Sequence, residues 1–332
     1  MKKLICTLCT ALLLCLYLTG CATVKNKIAY TVYPVGFLID RIGGSTVIKE
    51  SIQNDGIIQR ATIKDNYENT LKSSAVFMHI GTLEPYLTVY SNEIKESKIQ
   101  NMDLSVLNAV YNFRRYTQIV TDGEVSFVEG PYYKGDMFNM IDADEKDLFL
   151  WNDPISMLSM AKDIRDWLVS KFPDQASVYE ENYHKLETDL INLDAQYQAL
   201  ATSLVKNNQQ IRFVSMTASF GTWQKTYGFQ VYPVILSKYG VLPNKEQLEV
   251  IKERILADGV KYIVYEPNMT PDMIELFNEL ESSMNLKRVN LSNLSSLTKT
   301  EVDDGKDYVS IMYENLSVLT TMKEDISAAA DN

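Results

Sequence analysis

Tyr179, Tyr183, Leu186, Leu190, Leu193, Tyr197, Leu200 and Leu204 are spaced alternately four and three residues apart. At 3.6 residues per turn, that spacing puts all eight on one stripe of a helix of roughly 30 residues, about 45 Å long. A helix of that length with one apolar stripe must lay it on something. The spacing also fits a coiled-coil seam. Within a chain of 332 residues, a spine packed across the body is the simpler reading.

The segments on either side of the spine alternate between strand and helix. Before it, Ile28 to Tyr33 and Ala75 to Ile80 read as strands. Phe37 to Ile42, Thr62 to Leu71 and Glu84 to Glu96 read as helices, and Asp153-Pro154 starts another, with an N-cap and a proline at the first helical position. Residues 98–148 hold short strand candidates and a loop rich in Tyr, Gly and Asp. After the spine, strands over Ile211–Met216, Gln230–Leu236, Tyr262–Glu266 and Lys287–Leu291 alternate with helices over Ser219–Tyr227, Asn244–Ala257, a segment from Thr270-Pro271, and Lys306–Met322. Asn244 and Gln247 have capping-box spacing. Such alternation implies parallel sheets. The predicted fold is α/β, with two lobes, each a parallel sheet flanked by helices, joined by one long helix.

The first residues do not belong to that fold. Lys2-Lys3 precedes an apolar run from Leu4 to Tyr17, and Leu18-Thr19-Gly20-Cys21 has the cleavage pattern of a bacterial lipoprotein. The expected organisation is a signal peptide over 1–20, a lipidated tether over 21–27, an N-terminal lobe over 28–173, the linking helix over 174–207, a C-terminal lobe over 208–325 and a tail over 326–332. Cys21 would carry the lipid that holds the chain at the bacterial envelope, outside the cytoplasm. Attachment through more than one acyl chain is stable, at about 0.8 kcal/mol per buried methylene.

All four cysteines, Cys6, Cys9, Cys15 and Cys21, lie in that leader or at its end. The mature chain therefore has no disulfide, no thiolate metal site and no cysteine nucleophile. Removing Lys2 and Lys3 leaves 30 basic against 43 acidic residues, and so acidic a surface argues against nucleic acid. Gly-x-Ser-x-Gly, phosphate-loop and dinucleotide motifs are absent, so no enzyme class is indicated. His79 and His184 are the only histidines, too few for an ordinary zinc site. The acidic stretches 142–147 and 301–307 lack calcium-loop spacing and read as solvated loops. Glu266 is the best-placed single carboxylate, at the end of a predicted strand.

Six stretches then occur in a telling order: "YPVGFLIDRIGG", "AVFMHIGTLEPYL", "DLFLWNDPISMLSMAKDI", "SMTASFGTWQKTYG", "VKYIVYEPNMTPDMIEL" and "DYVSIMYENLSVLTTM". Together they resemble the zinc- and manganese-binding proteins of bacterial ABC importers over nearly all of the mature chain. The second is similar to that family's Gly-x-Leu-Glu-Pro-Trp-Leu, and the fourth to its Thr-His-x-Ala-Phe-Gly-Tyr-Phe. The resemblance implies two lobes with a metal held between them by four loops.

At the positions that match those ligands the chain has Gln59, Phe149, Thr217 and Ser292, none of them a strong metal ligand. The family's histidine-rich loop is also missing. The expectation is a solute-binding lipoprotein that partners a membrane permease but has lost the metal site, with neither zinc nor manganese bound and a small organic solute as ligand. Arg60, His79, Trp151, Ser219, Trp223 and Glu266 are candidate accessory residues of the cleft. Trp151 and Trp223 fit a core role as well as a stacking one. Two alternatives stand beside this reading: an envelope scaffold that captures nothing, and metal binding through rearranged carboxylates.

Overall fold

The computed structural model describes residues 25–139 and 146–330. The predicted signal peptide, Cys21 and the acidic residues 142–145 lie outside the described residues. The N-terminal sheet is parallel in the order β2-β1-β3-β4, from strands β1 (Lys27–Tyr30), β2 (Ile48–Ser51), β3 (Val76–His79) and β4 (Gln100–Asp103). A hairpin follows, β5 (Arg115–Thr121) and β6 (Glu124–Gly130). The C-terminal sheet, also parallel, runs β10-β9-β7-β8, from β7 (Arg212–Thr217), β8 (Gln230–Ile235), β9 (Tyr262–Tyr265) and β10 (Lys287–Asn290).

The spine is the helix Ala176–Lys206, and all eight stripe residues are buried. At one end it holds the N-terminal lobe: Asn182 Nδ2 donates to Ile42 O at 3.0 Å, and Arg41 pairs with Asp189. At the other it holds the C-terminal lobe: Tyr197 donates to Met312 O at 2.8 Å and Tyr227 to Asp194 at 3.0 Å. A single apolar core runs from Ile28 and Leu38 through the stripe to Phe213, Trp223 and Met312. Predicted caps are present at Asp153 and at Asn244 with Gln247.

Several boundaries differ from the sequence reading, for local reasons. β1 ends at Tyr30 because Pro34 sits at the start of the helix Tyr33–Gly43. The helix expected from Thr62 begins at Tyr67, since Ile63 bridges Gln53. The helix expected over 84–96 breaks at Tyr90 into Pro85–Val89 and Ser91–Glu96. The closing helix runs Tyr308–Ala330, and a short helix capped by Thr298 and Glu301 precedes it.

Residues 113–138 fall within the predicted N-terminal lobe, yet side chains from them pack on the C-terminal one. Tyr132, Tyr133 and Phe138 join the core of Val214, Tyr232 and Ile263. Arg115 donates to Tyr232 (2.8 Å) and Asp258 (3.1 Å), Tyr133 to Pro233 O (2.9 Å), and Gln230 Nε2 to Tyr116 O (2.9 Å). This segment straps the two lobes together.

Gly36 marks where the first helix presses on the sheet. A Cβ there would lie 2.5 Å from the Tyr30 ring. Gly36→Ala is expected to cost about 2 kcal/mol through overpacking, read as a lower urea midpoint.

Candidate functional site

The C-terminal ends of the parallel strands point at the junction of the lobes, where α/β proteins place ligands. A cleft lies there. Its N-terminal wall is Ile58, Gln59, Thr82, Leu83 and residues 146–149, and its C-terminal wall is Ala218 and Leu236 to Lys238, with Phe113 from the strap. It encloses about 500 Å³ including its open mouth, but only about 50 Å³ admits the centre of a water molecule. Room for a few waters is all that remains.

Of the four positions that match the family's ligands, Gln59 and Phe149 line this cleft. Thr217 lies behind it at 0% exposure, next to the wall residue Ala218. Ser292 is turned elsewhere: its N–H donates to Asn315 at 2.9 Å, and its hydroxyl accepts the Leu294 N–H at 3.2 Å. The neighbouring Asn293, which sequence reading passed over, is the residue that reaches Glu266.

Its partner is Glu266, fully buried. Oε1 accepts the Thr217 N–H at 2.8 Å; Oε2 accepts the Thr217 hydroxyl at 2.6 Å and Asn293 Nδ2 at 2.8 Å. Burial pushes this carboxyl's pKa up, and the hydrogen bonds from Thr217 and Asn293 pull it back. Thr217 also meets Ser219 at 2.6 Å, and Gln59 Nε2 donates to Ser219 at 3.5 Å. A hydrogen-bonded chain thus crosses from one lobe to the other through side chains alone.

Trp151 and Trp223 are both fully buried and offer no face to a ligand. Each indole N–H is taken at 2.8 Å, by Asn293 O and Asn152 O respectively. Asn152 Nδ2 in turn donates to Ser219 O at 2.5 Å. His79 stacks on Phe77 with ring centres 5.2 Å apart, and its Nδ1 lies 2.7 Å from Gly81 O. It belongs to the N-terminal lobe's own packing.

Asp147 closes the acidic stretch 142–147 expected to be a solvated loop, but it is buried in the cleft wall, with Oδ1 accepting the Phe149 N–H at 3.1 Å. Burial drives its pKa up to about 7.

Arg60 joins the lobes at the rim. It forms a bidentate pair with Asp272 (3.1 and 2.7 Å) and donates twice to Gly240 O (3.2 and 2.8 Å). Both side chains are about a third exposed or more, so solvent screens the pair. Arg60→Leu is expected to lower stability by about 1–2 kcal/mol, with the loss shrinking in 1 M salt; paired urea titrations at low and high salt check it.

Among the described residues, no three His, Cys, Asp or Glu side chains gather to hold a metal ion. The ligand-matching positions do not suit zinc either. Phe149 has no donor atom, and the hydroxyls of Thr217 and Ser292 are committed within the protein. Among the described residues Glu266 is held by Thr217 and Asn293, while His79 faces Gly81.

The sequence model of the family described as "Zinc-uptake complex component A periplasmic" matches residues 28–322. The chain belongs to that family. It is 26% identical over 327 residues to the zinc-binding lipoprotein AdcA of Streptococcus pneumoniae strain R6, a match covering 96% of this chain and 60% of that protein. Over 173 residues, 52% of each chain, it is 27% identical to the high-affinity zinc uptake system protein ZnuA of Bacillus subtilis. The chain thus spans 60% of the length of the AdcA relative.

Two solved structures share the fold. The Zn(II)-bound ZnuA-like domain of S. pneumoniae AdcA superposes with a TM-score of 0.65 at 20% identity, covering 90% of this chain and 98% of that one. S. pneumoniae AdcAII gives 0.69 at 19%, covering 91% and 100%. The family's description is that of a periplasmic component of zinc uptake.

Proposed function

We propose that this zinc-uptake family member is the solute-binding lipoprotein of an ABC importer whose inter-lobe cleft takes a small organic solute in place of a metal ion. Lipid on Cys21 would hold it at the envelope beside its permease. One observation carries the reading: at the lobe junction there is still a cleft, mostly apolar in its walls, with a few buried polar groups, Gln59 and Asp147 among them. That composition is typical of small-molecule sites.

A second reading, an envelope scaffold that captures nothing, draws on a different observation. The lobes are already tied together without a ligand, through Gln59–Ser219, Asn152–Ser219, Trp151–Asn293 and Arg60–Asp272. Thermal unfolding of the EDTA-stripped protein separates the two. A ligand at 100 times its dissociation constant adds about 2.7 kcal/mol, several degrees in midpoint. Solute capture predicts a saturable shift with an organic compound and none with zinc or manganese. The scaffold predicts no shift with any of them.

A further inference from the structure

The proton of each hydroxyl in the inter-lobe chain can be assigned from Glu266. Glu266 accepts all three of its side-chain hydrogen bonds, so the single proton of the Thr217 hydroxyl is committed to Oε2. In its 2.6 Å contact with Ser219, Thr217 must then accept, and Ser219 donates. Ser219 has only lone pairs left for Gln59, which meets it through Nε2. The orientation of the Gln59 amide follows. Its Oε1 points away from Ser219 and is a buried acceptor without a hydrogen-bond partner among the described residues, in a side chain that lines the cleft.

Asp147 brings a second acceptor to the same cavity. Its carboxyl has one hydrogen bond, from the Phe149 N–H to Oδ1, and no cation pairs with it among the described residues. The two lysines that border the cleft are engaged elsewhere: Lys146 donates to Asn112 at 2.7 Å, and the Lys238 ammonium lies 5.5 Å from the centre of the Tyr239 ring. The buried polar groups are thus acceptors short of donors, beside Phe149 and Phe113 in the cleft lining. A buried acceptor left unmatched is costly, and a ligand supplying the donor would recover that cost.

We propose that the cleft selects a small organic cation with N–H donors, a primary or secondary ammonium that bridges Gln59 Oε1 and the Asp147 carboxylate with its carbon face on Phe149. The inference rests on the reading of the chain as a solute-binding protein. The confined space limits the ligand to a few heavy atoms, and cation–π attraction to the two rings adds to the carboxylate contact.

Full-length protein in detergent would be titrated calorimetrically at pH 7.5 with ethylammonium, propionate and glycerol. The expected result is saturable binding of ethylammonium alone. Asp147→Asn, which keeps an acceptor for the Phe149 N–H, should weaken it at least 10-fold, and Gln59→Met several-fold. Circular dichroism would verify that each variant is folded, and either one that folds suffices. Binding of propionate or glycerol without ethylammonium would overturn the cation assignment and leave solute capture standing. So would ethylammonium binding that both variants leave intact. Silence with all three probes would overturn the assignment together with solute capture.

Discussion

Replacing Glu84 with glutamine is expected to stabilise the protein by about 3 kcal/mol at pH 8 and to leave it nearly unchanged at pH 4. Glu84 caps the start of the helix Pro85–Val89 and has 0% exposure. Neither of its oxygens, nor the Thr31 hydroxyl close by, has a hydrogen-bond partner among the described residues. Burial pushes its pKa from 4.5 up to about 7. Between those two values the folded state keeps a proton that the unfolded state releases. The stability contributed by that proton is fully present below pH 4.5, falls as pH rises through the window and is lost above about 7. A displacement from 4.5 to about 7 is worth about 3 kcal/mol at 1.36 kcal/mol per pH unit. Glutamine stays neutral throughout and escapes the penalty. Urea unfolding at pH 4, 6 and 8 measures the effect, and equal stability of both proteins at pH 8 would contradict it.

The second large effect has the opposite sign. Glu266→Ala is expected to destabilise by roughly 4 kcal/mol. It strands three buried donors, the Thr217 N–H, the Thr217 hydroxyl and Asn293 Nδ2. Each costs about 1–3 kcal/mol when left unmatched, with a cavity added. Glu266→Gln keeps the shape and one acceptor, so it should cost less than half as much. A loss below 1 kcal/mol for the alanine variant in urea would show that the network contributes little. The comparison is informative because both variants remove the same charge but only one removes the acceptors.

Much of this architecture is written in local patterns. The 4-3 spacing from Tyr179 to Leu204 identifies the linking helix because burial follows helical period directly. Asn244 with Gln247 and Asp153-Pro154 mark helix starts because capping is a matter of three or four residues. β2 was illegible: Ile48-Lys49-Glu50-Ser51 is polar and lies at the sheet edge, so no apolar alternation reports it. The β5–β6 hairpin carried a usable signal, Asp122-Gly123, both at positive φ, between two β-rich runs. Its attachment to the C-terminal lobe depends on Arg115, Tyr132 and Tyr133 meeting β8 and Asp258, contacts that are distant in sequence.

The site divides in the same way. Motif order alone led to Gln59, Phe149 and Thr217. Past β10 the chain is irregular, with Leu294 at φ +57°, and there counting placed the site at Ser292 while the side chain that reaches Glu266 belongs to Asn293. Nothing in the composition of a chain with 43 acidic residues could single out Asp147. Its significance comes from burial without a countercharge.

The central claim is that hydrogen bonds among Glu266, Thr217, Ser219, Asn293 and Gln59 occupy the lobe junction and that no metal-binding cluster gathers among the described residues. Equilibrium dialysis of the metal-stripped full-length protein against buffered zinc tests it most directly. The account predicts less than a tenth of an equivalent bound at 1 μM free zinc, with Glu266→Ala indistinguishable from the parent. One equivalent bound at or below that concentration, abolished by Glu266→Ala, would contradict it.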